Sequence, residues 1–201
     1  MAKLYFSYSA MNAGKSTTLL QASHNYRERG MDTLLLTAAL DDRVGIGKIG
    51  SRIGLTQEAE TFSDGDDLFD RVKEAVEKRK IACVFVDEAQ FLSPDQVWQL
   101  ARAADRLGVP VMCYGLRTDF QGELFPGSAI LLAIADNLRE IRTICWCGRK
   151  ATMVVRLGGD GRILEDGDQV AVGGEESYVS LCRRHWDERE LGPNSQLRMF
   201  L

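Results

Sequence analysis

Three short runs in this sequence hold residue types that can do chemistry. Ser9 to Ser16 reads S-A-M-N-A-G-K-S. Between a strand and a helix this is a Walker A loop, whose backbone N–H groups and helix N-terminus cradle phosphate oxygens. Lys15 would neutralise β- and γ-phosphate charge, Ser16 would place its hydroxyl on Mg²⁺, and Gly14 lets the backbone approach without a Cβ in the way. The motif's first glycine is replaced by Ser9, a change that is tolerable where positive φ is not needed. The plainer reading of AGKST is a solvated turn before an ordinary helix; the strand–loop–helix context weighs against it.

The second run is the apolar stretch Ile81 to Val86, followed at once by Asp87 and Glu88. A buried strand that delivers a carboxylate beside a phosphate loop is a Walker B element. Asp87 would hold the metal, and Glu88 could take a proton from an acceptor hydroxyl or from water. These acids alone do not separate an ATPase from a kinase. The third run is divided, Cys145-x-Cys147 and Cys182-x-x-His185. Four soft or borderline ligands suit tetrahedral Zn²⁺, and with every position filled by protein the site would be structural. Two buried thiols with an unrelated Cys and His are the alternative. Cys83 and Cys113 lie inside apolar runs and read as packed core thiols; His24, in mid-helix, reads as a surface or packed residue.

The elements that must position these groups alternate between short apolar runs and helical periods, which gives an α/β fold. Strands are expected at Leu4 to Tyr8, Thr33 to Ala38, Ile81 to Val86 and Val109 to Tyr114. Helices are expected at Lys15 to Arg29, Asp66 to Arg79, from the Ser93 cap with Pro94 up to Gly108, and from Ser128 to about Asn137. The turn-rich stretch between Tyr114 and Ser128 is long for a compact connection, hence either a functional loop or a poorly ordered one. After Arg139 the pattern changes to short β-type runs, Arg142 to Trp146, Met153 to Leu157, Gln169 to Val172 and Tyr178 to Leu181. The organisation expected is a P-loop, RecA-like, mostly parallel sheet flanked by helices over residues 1–138, a small β-rich zinc-binding domain over 139–187, and a flexible tail over 188–201.

The chain has 201 residues, 45% hydrophobic, with 25 Lys+Arg against 29 Asp+Glu. That is enough for one substantial core plus an appendage. A net charge of −4 offers no basic field for nucleic acid and fits a small ligand better. No stretch reads as a signal peptide or approaches the roughly 20 apolar residues of a membrane span. A cytoplasmic protein is expected, in which five cysteines are not a disulfide framework.

The segments SAMNAGKST, VDEAQF, YGLRTDFQGELFPGS, CWCGRKA and GGEESYVSLCRRH together resemble the thymidine kinases shared by bacteria and animal cytosol, most nearly the enterobacterial branch, with which serine in the first position of the loop is also associated. The resemblance covers all but the tail. It implies transfer of the γ-phosphate of ATP to the 5′-hydroxyl of thymidine or deoxyuridine, with Mg²⁺, in a homotetramer inhibited by dTTP. It places the general base on Glu88 and the nucleotide site on Ser9, Ala10, Met11, Asn12, Ala13, Gly14, Lys15 and Ser16 with Asp87, Glu88, Ala89 and Gln90. The thymidine pocket maps onto Met11, Phe91, Leu116, Phe120, Phe125 and Tyr178, and a base-recognising lasso onto Val170, Ala171, Val172, Gly173 and Gly174. Asp41 and Arg43 fall near the active site. The zinc ligands fall on Cys145, Cys147, Cys182 and His185, histidine standing where the animal enzymes have cysteine. Phe91, Phe120 and Phe125 beside the expected base are the apolar walls that a flat pyrimidine needs. The competing reading is a P-loop ATPase or switch with a zinc ribbon as docking module; the acidic charge and the lack of a basic aromatic patch speak against it.

Overall fold

The computed structural model describes residues 1–41, 43–170 and 178–193. In chain order the larger part consists of β1 (Leu4–Ser9), α1 (Lys15–Glu28), β2 (Asp32–Ala38), β3 (Lys48–Gly50), β4 (Thr56–Glu58), β5 (Glu60–Phe62), α2 (Leu68–Lys78), β6 (Ile81–Val86), α3 (Pro94–Leu107), β7 (Val111–Leu116), α4 (Pro126–Ile134) and β8 (Asn137–Glu140). Six of the strands form one sheet in the order β5-β2-β6-β7-β1-β8. Every neighbouring pair is parallel.

The two-residue period of the strands divides the core. Leu34, Leu36, Val84, Val86, Val111 and Cys113 face α2, α3 and α4, whereas Leu35, Cys83, Phe85 and Tyr114 face Leu19 and Leu20 of α1. Strands covered on both faces are continuous apolar runs for this reason. The helices begin where local chemistry says they should. Ser93 and Gln96 close a reciprocal capping box ahead of Pro94, and Asp67 caps α2 by accepting the Asp70 N–H, each cap worth about 1 kcal/mol.

Two features depart from the sequence expectation. The helix expected from Ser128 to Asn137 runs from Pro126 to Ile134, and Asn137–Glu140 pairs with β1 as a parallel edge strand. Pro126 at the first helical position sets the earlier start, and three of the four β8 residues are exposed, which erases any apolar signal. The hairpin of β3 and β4 was not expected at all. One side chain, Ile49, anchors it in the α1 cluster.

The smaller part pairs β9 (Thr143–Ile144) with β10 (Lys150–Ala151), and β11 (Met153–Arg156) with β12 (Tyr178–Leu181), both antiparallel. The one-turn helix α5 (Arg183–Asp187) follows. Its core is small, with Cys145, Ala151, Val155, Leu181 and Cys182 buried together. Gln169 and Val170 are not in a strand. The expected lasso residues Ala171, Val172, Gly173 and Gly174 and the end of the tail lie outside the described residues.

Candidate active site and metal centre

β1 delivers the chain into the phosphate loop, which turns through left-handed backbone at Asn12 (φ 62°) and Gly14 (φ 81°). Gly14 precedes α1 with no side-chain cap, so the first-turn N–H groups keep their capacity to bind an anion. Ser9 is the last residue of β1 and is not left-handed, which is why serine fits where the motif has glycine. Its hydroxyl donates to the Ala10 carbonyl at 2.6 Å and accepts from Lys15 Nζ at 3.2 Å, and Lys15 also donates to the Ala10 carbonyl at 3.2 Å.

The loop lines a cavity of about 220 Å³ together with Arg43, Glu88, Leu116 and the tip of the β3–β4 hairpin, Gly50 to Ile53. Met11, Asn12, Ala13 and Ser16 all face it. The hairpin tip, including Arg52, escaped sequence reading because three-residue strands with one buried side chain carry no periodic signal.

Asp87 and Glu88 follow β6 at the same end of the sheet. Asp87 is buried, and its Oδ1 has no hydrogen-bond partner. Burial and the neighbouring Glu88 charge push its carboxyl up to about 7, against the opposing pull of the Ser16 hydroxyl and Lys15. An orphaned buried carboxylate oxygen on a group whose charged form the Ser16 hydroxyl and Lys15 favour is the kind of donor that Mg²⁺ takes in such loops. Asp87 and Ser16 therefore fit a hard cation.

Glu88 has left-handed backbone (φ 52°), which turns its side chain back toward the phosphate loop. Its Oε1 accepts from Arg43 Nη2 at 2.6 Å and its Oε2 from Gln90 Nε2 at 2.5 Å. Arg43 is gripped by Asp41, Nε at 2.6 Å and Nη2 at 2.9 Å. Gln90 is 1% exposed, and its Oε1 accepts the Leu116 N–H at 2.9 Å. Only glycine fits at position 115, since a Cβ there would lie 2.9 Å from both Gln90 N and Oε1. Ala89 and Gln90, assigned above to the nucleotide, are buried and absent from the cavity lining; Gln90 grips Glu88 from behind.

Phe91, three positions after Glu88, meets Phe125 edge to face, 6.0 Å between centroids. Phe120 and Phe125 are buried, Phe91 and Tyr178 are half-buried, and Val170 is exposed. The stretch before α4 is a turn built on Asp119, whose Oδ1 accepts the N–H groups of Gln121 and Glu123 at 2.9 Å each. The small lobe reaches the phosphate loop through Ser180, whose hydroxyl donates to the Met11 carbonyl at 2.7 Å. Arg117 Nη2 donates to the Thr152 carbonyl at 3.1 Å.

Cys145, Cys147, Cys182 and His185 converge, their ligand atoms all within 4.8 Å of one another. Cys145 Sγ lies 3.3 Å from His185 Nδ1, and Cys147 Sγ lies 4.0 Å from Cys182 Sγ. Ligand separations of about 3.5–4 Å follow from metal bonds of about 2.0–2.3 Å in a tetrahedron. The other ring nitrogen, Nε2, faces Glu190 Oε2 at 3.6 Å. Trp146 stacks on the imidazole with 4.3 Å between centroids. The cluster is compatible with zinc.

The thymidine kinase family profile matches residues 2–186. A thymidine kinase of Ruegeria pomeroyi is 64% identical over 196 residues, 98% of this chain and 99% of that protein. One of Rhizobium meliloti is 68% identical over 191 residues, 94% and 98% of the two chains, and one of Haemophilus influenzae 59% over 189 residues, 94% and 98%. With its phosphate loop, its paired acids and its Cys/His cluster inside that match, the chain belongs to the thymidine kinase family.

Proposed function

We propose that this chain transfers the γ-phosphoryl group of ATP to the 5′-hydroxyl of thymidine or deoxyuridine, giving dTMP or dUMP for nucleotide salvage. The observation that carries the reading is the placement of Glu88, which lines the same cavity as Lys15 and Gly14 and is held by Arg43 and Gln90. A carboxylate fixed beside a phosphate cradle, with Phe91 three positions on and Phe125 against its ring, is what an acceptor hydroxyl requires.

Backbone N–H groups of the loop and Lys15 bind the β- and γ-phosphates, Lys15 exchanging its bonds to Ser9 and Ala10 for phosphate oxygens. Asp87 and Ser16 would hold Mg²⁺, which when bound supplies charge neutralisation across the phosphates. Glu88 accepts the proton of the 5′-hydroxyl as that oxygen bonds to the γ-phosphorus; the bond from that phosphorus to the bridging oxygen breaks, and the electron pair leaves with ADP. Asp41 fixes Arg43, and Arg43 with Gln90 fixes the direction of the carboxylate. The walls for the base are assigned to Met11, Phe91, Leu116, Phe120, Phe125 and Tyr178, with the segment from Val170 through Gly174 beside them. Cys145, Cys147, Cys182 and His185 would hold one structural zinc ion.

The family resemblance adds a homotetramer, a cytoplasmic location and inhibition by dTTP. That nucleotide carries both the base for one side of Glu88 and a triphosphate for the other. The −4 net charge supports a small-molecule substrate rather than nucleic acid, and no described helix is long and apolar enough to cross a membrane. The test is incubation with ATP, Mg²⁺ and a panel of nucleosides. ADP should form only when thymidine or deoxyuridine is present; equal ADP release without nucleoside overturns the reading.

A further inference from the structure

Arg156 ends β11 in the small lobe and is buried, 8% exposed. Its guanidinium carbon lies 4.2 Å from the centroid of the Phe120 ring, and its Nη1 donates to the Asp168 carbonyl at 2.8 Å. Burying an arginine forfeits hydration, and here a ring face and a carbonyl replace part of it. Asp119, 3% exposed, makes the matching tie from the opposite direction. While its Oδ1 organises its own turn, its Oδ2 accepts from Gln169 Nε2 at 2.8 Å. Trp186 Nε1 donates to the carbonyls of Phe120 and Val154, at 3.1 Å each. Phe120 is thus fixed through its ring by Arg156 and through its carbonyl by Trp186, and residues 168 and 169 are fixed to the Phe120 turn by Arg156 and Asp119. None of these groups lines the phosphate cavity.

We infer that Arg156 and the Asp119–Gln169 pair are positioning residues for the nucleoside. They set the spacing between the Phe120 wall and the chain that runs into Val170, so the affinity for thymidine, and not that for ATP, depends on them. This rests on the reading that the Phe120 and Val170 side receives the nucleoside. The chemistry is separable from the reaction itself, because among the described residues the bonds of Arg156, Asp119 and Gln169 go to none of Glu88, Lys15 and Asp87.

The test uses full-length Gln169→Glu, which sets a carboxylate against buried Asp119, with Arg156→Met and Arg156→Lys. Gln169→Glu should raise the KM for thymidine about tenfold, the loss expected for a hydrogen bond to a charged group, while kcat and the KM for ATP stay within about twofold. Arg156→Met should do the same and Arg156→Lys should recover part of the loss. Without nucleoside, exchange of the Gln121 and Glu123 amides, which donate to Asp119 Oδ1, should quicken in Gln169→Glu, with zinc content unchanged. Gln169→Glu is the readout that survives if Arg156→Met does not fold. Unaltered exchange in Gln169→Glu overturns the tie; quicker exchange with an unaltered thymidine KM, or an equal rise in both KM values, overturns the positioning role. A wild type that turns over ATP but never thymidine sinks the kinase reading instead, and the exchange data then still decide the tie.

Discussion

At the carboxyl ends of the parallel strands every chemical group sits on a short connection between deeply packed elements: the phosphate loop between β1 and α1, Asp87 and Glu88 directly after β6, Leu116 at the end of β7. Buried leucines, valines and phenylalanines on both faces of the sheet fix those loops. The small lobe has a core of five buried residues, two of them cysteines of the metal cluster, and two-stranded sheets that could not hold themselves. Its groups are positioned by ligands and polar ties. The loops of the phosphate side are therefore placed by area buried, with Arg43 and Gln90 only aiming Glu88, and the lobe is placed by a few specific bonds, so the two should fail separately.

If the Cys/His cluster holds the proposed zinc ion, removing it is the most severe way to test that separation. Chelation, or Cys182→Ser, should abolish thymidine phosphorylation, since metal-binding free energy in so small a core is folding free energy. ATP binding, measured by calorimetry, should weaken only a few-fold, through loss of the Ser180–Met11 bond. If ATP binding disappears together with activity, the lobes form one cooperative unit and the contrast fails.

Glu88→Gln strikes the phosphate side alone. Turnover should fall about 10²–10⁴-fold, the usual worth of a general base, with the ATP dissociation constant nearly unchanged. Unaltered kcat would remove Glu88 from that role.

Acidity gives a smaller, graded effect. Asp87 titrates near 7 when folded, against 3.8 ordinarily. Between those values the folded protein keeps a proton that the unfolded chain releases, so the metal-free protein loses stability as pH rises through that window. Metal needs the ionised carboxylate. Mg²⁺ affinity should therefore weaken as pH falls through that window. The same titration in Asp87→Asn should be shallower, keeping only the nucleotide's own protonation; identical profiles for the two proteins would remove Asp87 as metal holder.

What the sequence disclosed follows the same division. The phosphate loop, the paired acids and both halves of the Cys/His cluster are contiguous patterns, and the structure brings each together. The strands of the sheet were legible because burial on both faces makes them unbroken apolar runs. The β3–β4 hairpin and β8 were not, since Lys48, Gln57, Glu58 and the exposed residues of β8 give no alternation. Long-range partners had no signal either. Gln169 meets Asp119 across 50 positions with nothing in the pattern to announce it, and Arg43, which the resemblance alone puts near the active site, meets Glu88 across 45. Gln90, which the resemblance gives to the nucleotide site, is buried and donates its Nε2 to Glu88 Oε2, a tie across two positions that no pattern announces.

The mildest substitution examines the one place where the phosphate loop departs from its motif. Ser9 is at the end of β1 with ordinary backbone, and its hydroxyl ties Ala10 and Lys15 together. Ser9→Gly removes both bonds and adds backbone freedom to a strand, a combined cost of about 1–2 kcal/mol that should lower Tm by about 2–8 °C in a chain of this size. Lys15 keeps the Ala10 carbonyl as a partner and must leave both oxygens to reach phosphate, so the KM for ATP should move less than about threefold. A tenfold rise in that KM would mean that the serine hydroxyl itself belongs to the cradle, and the phosphate side would then depend on a specific polar bond just as the small lobe does.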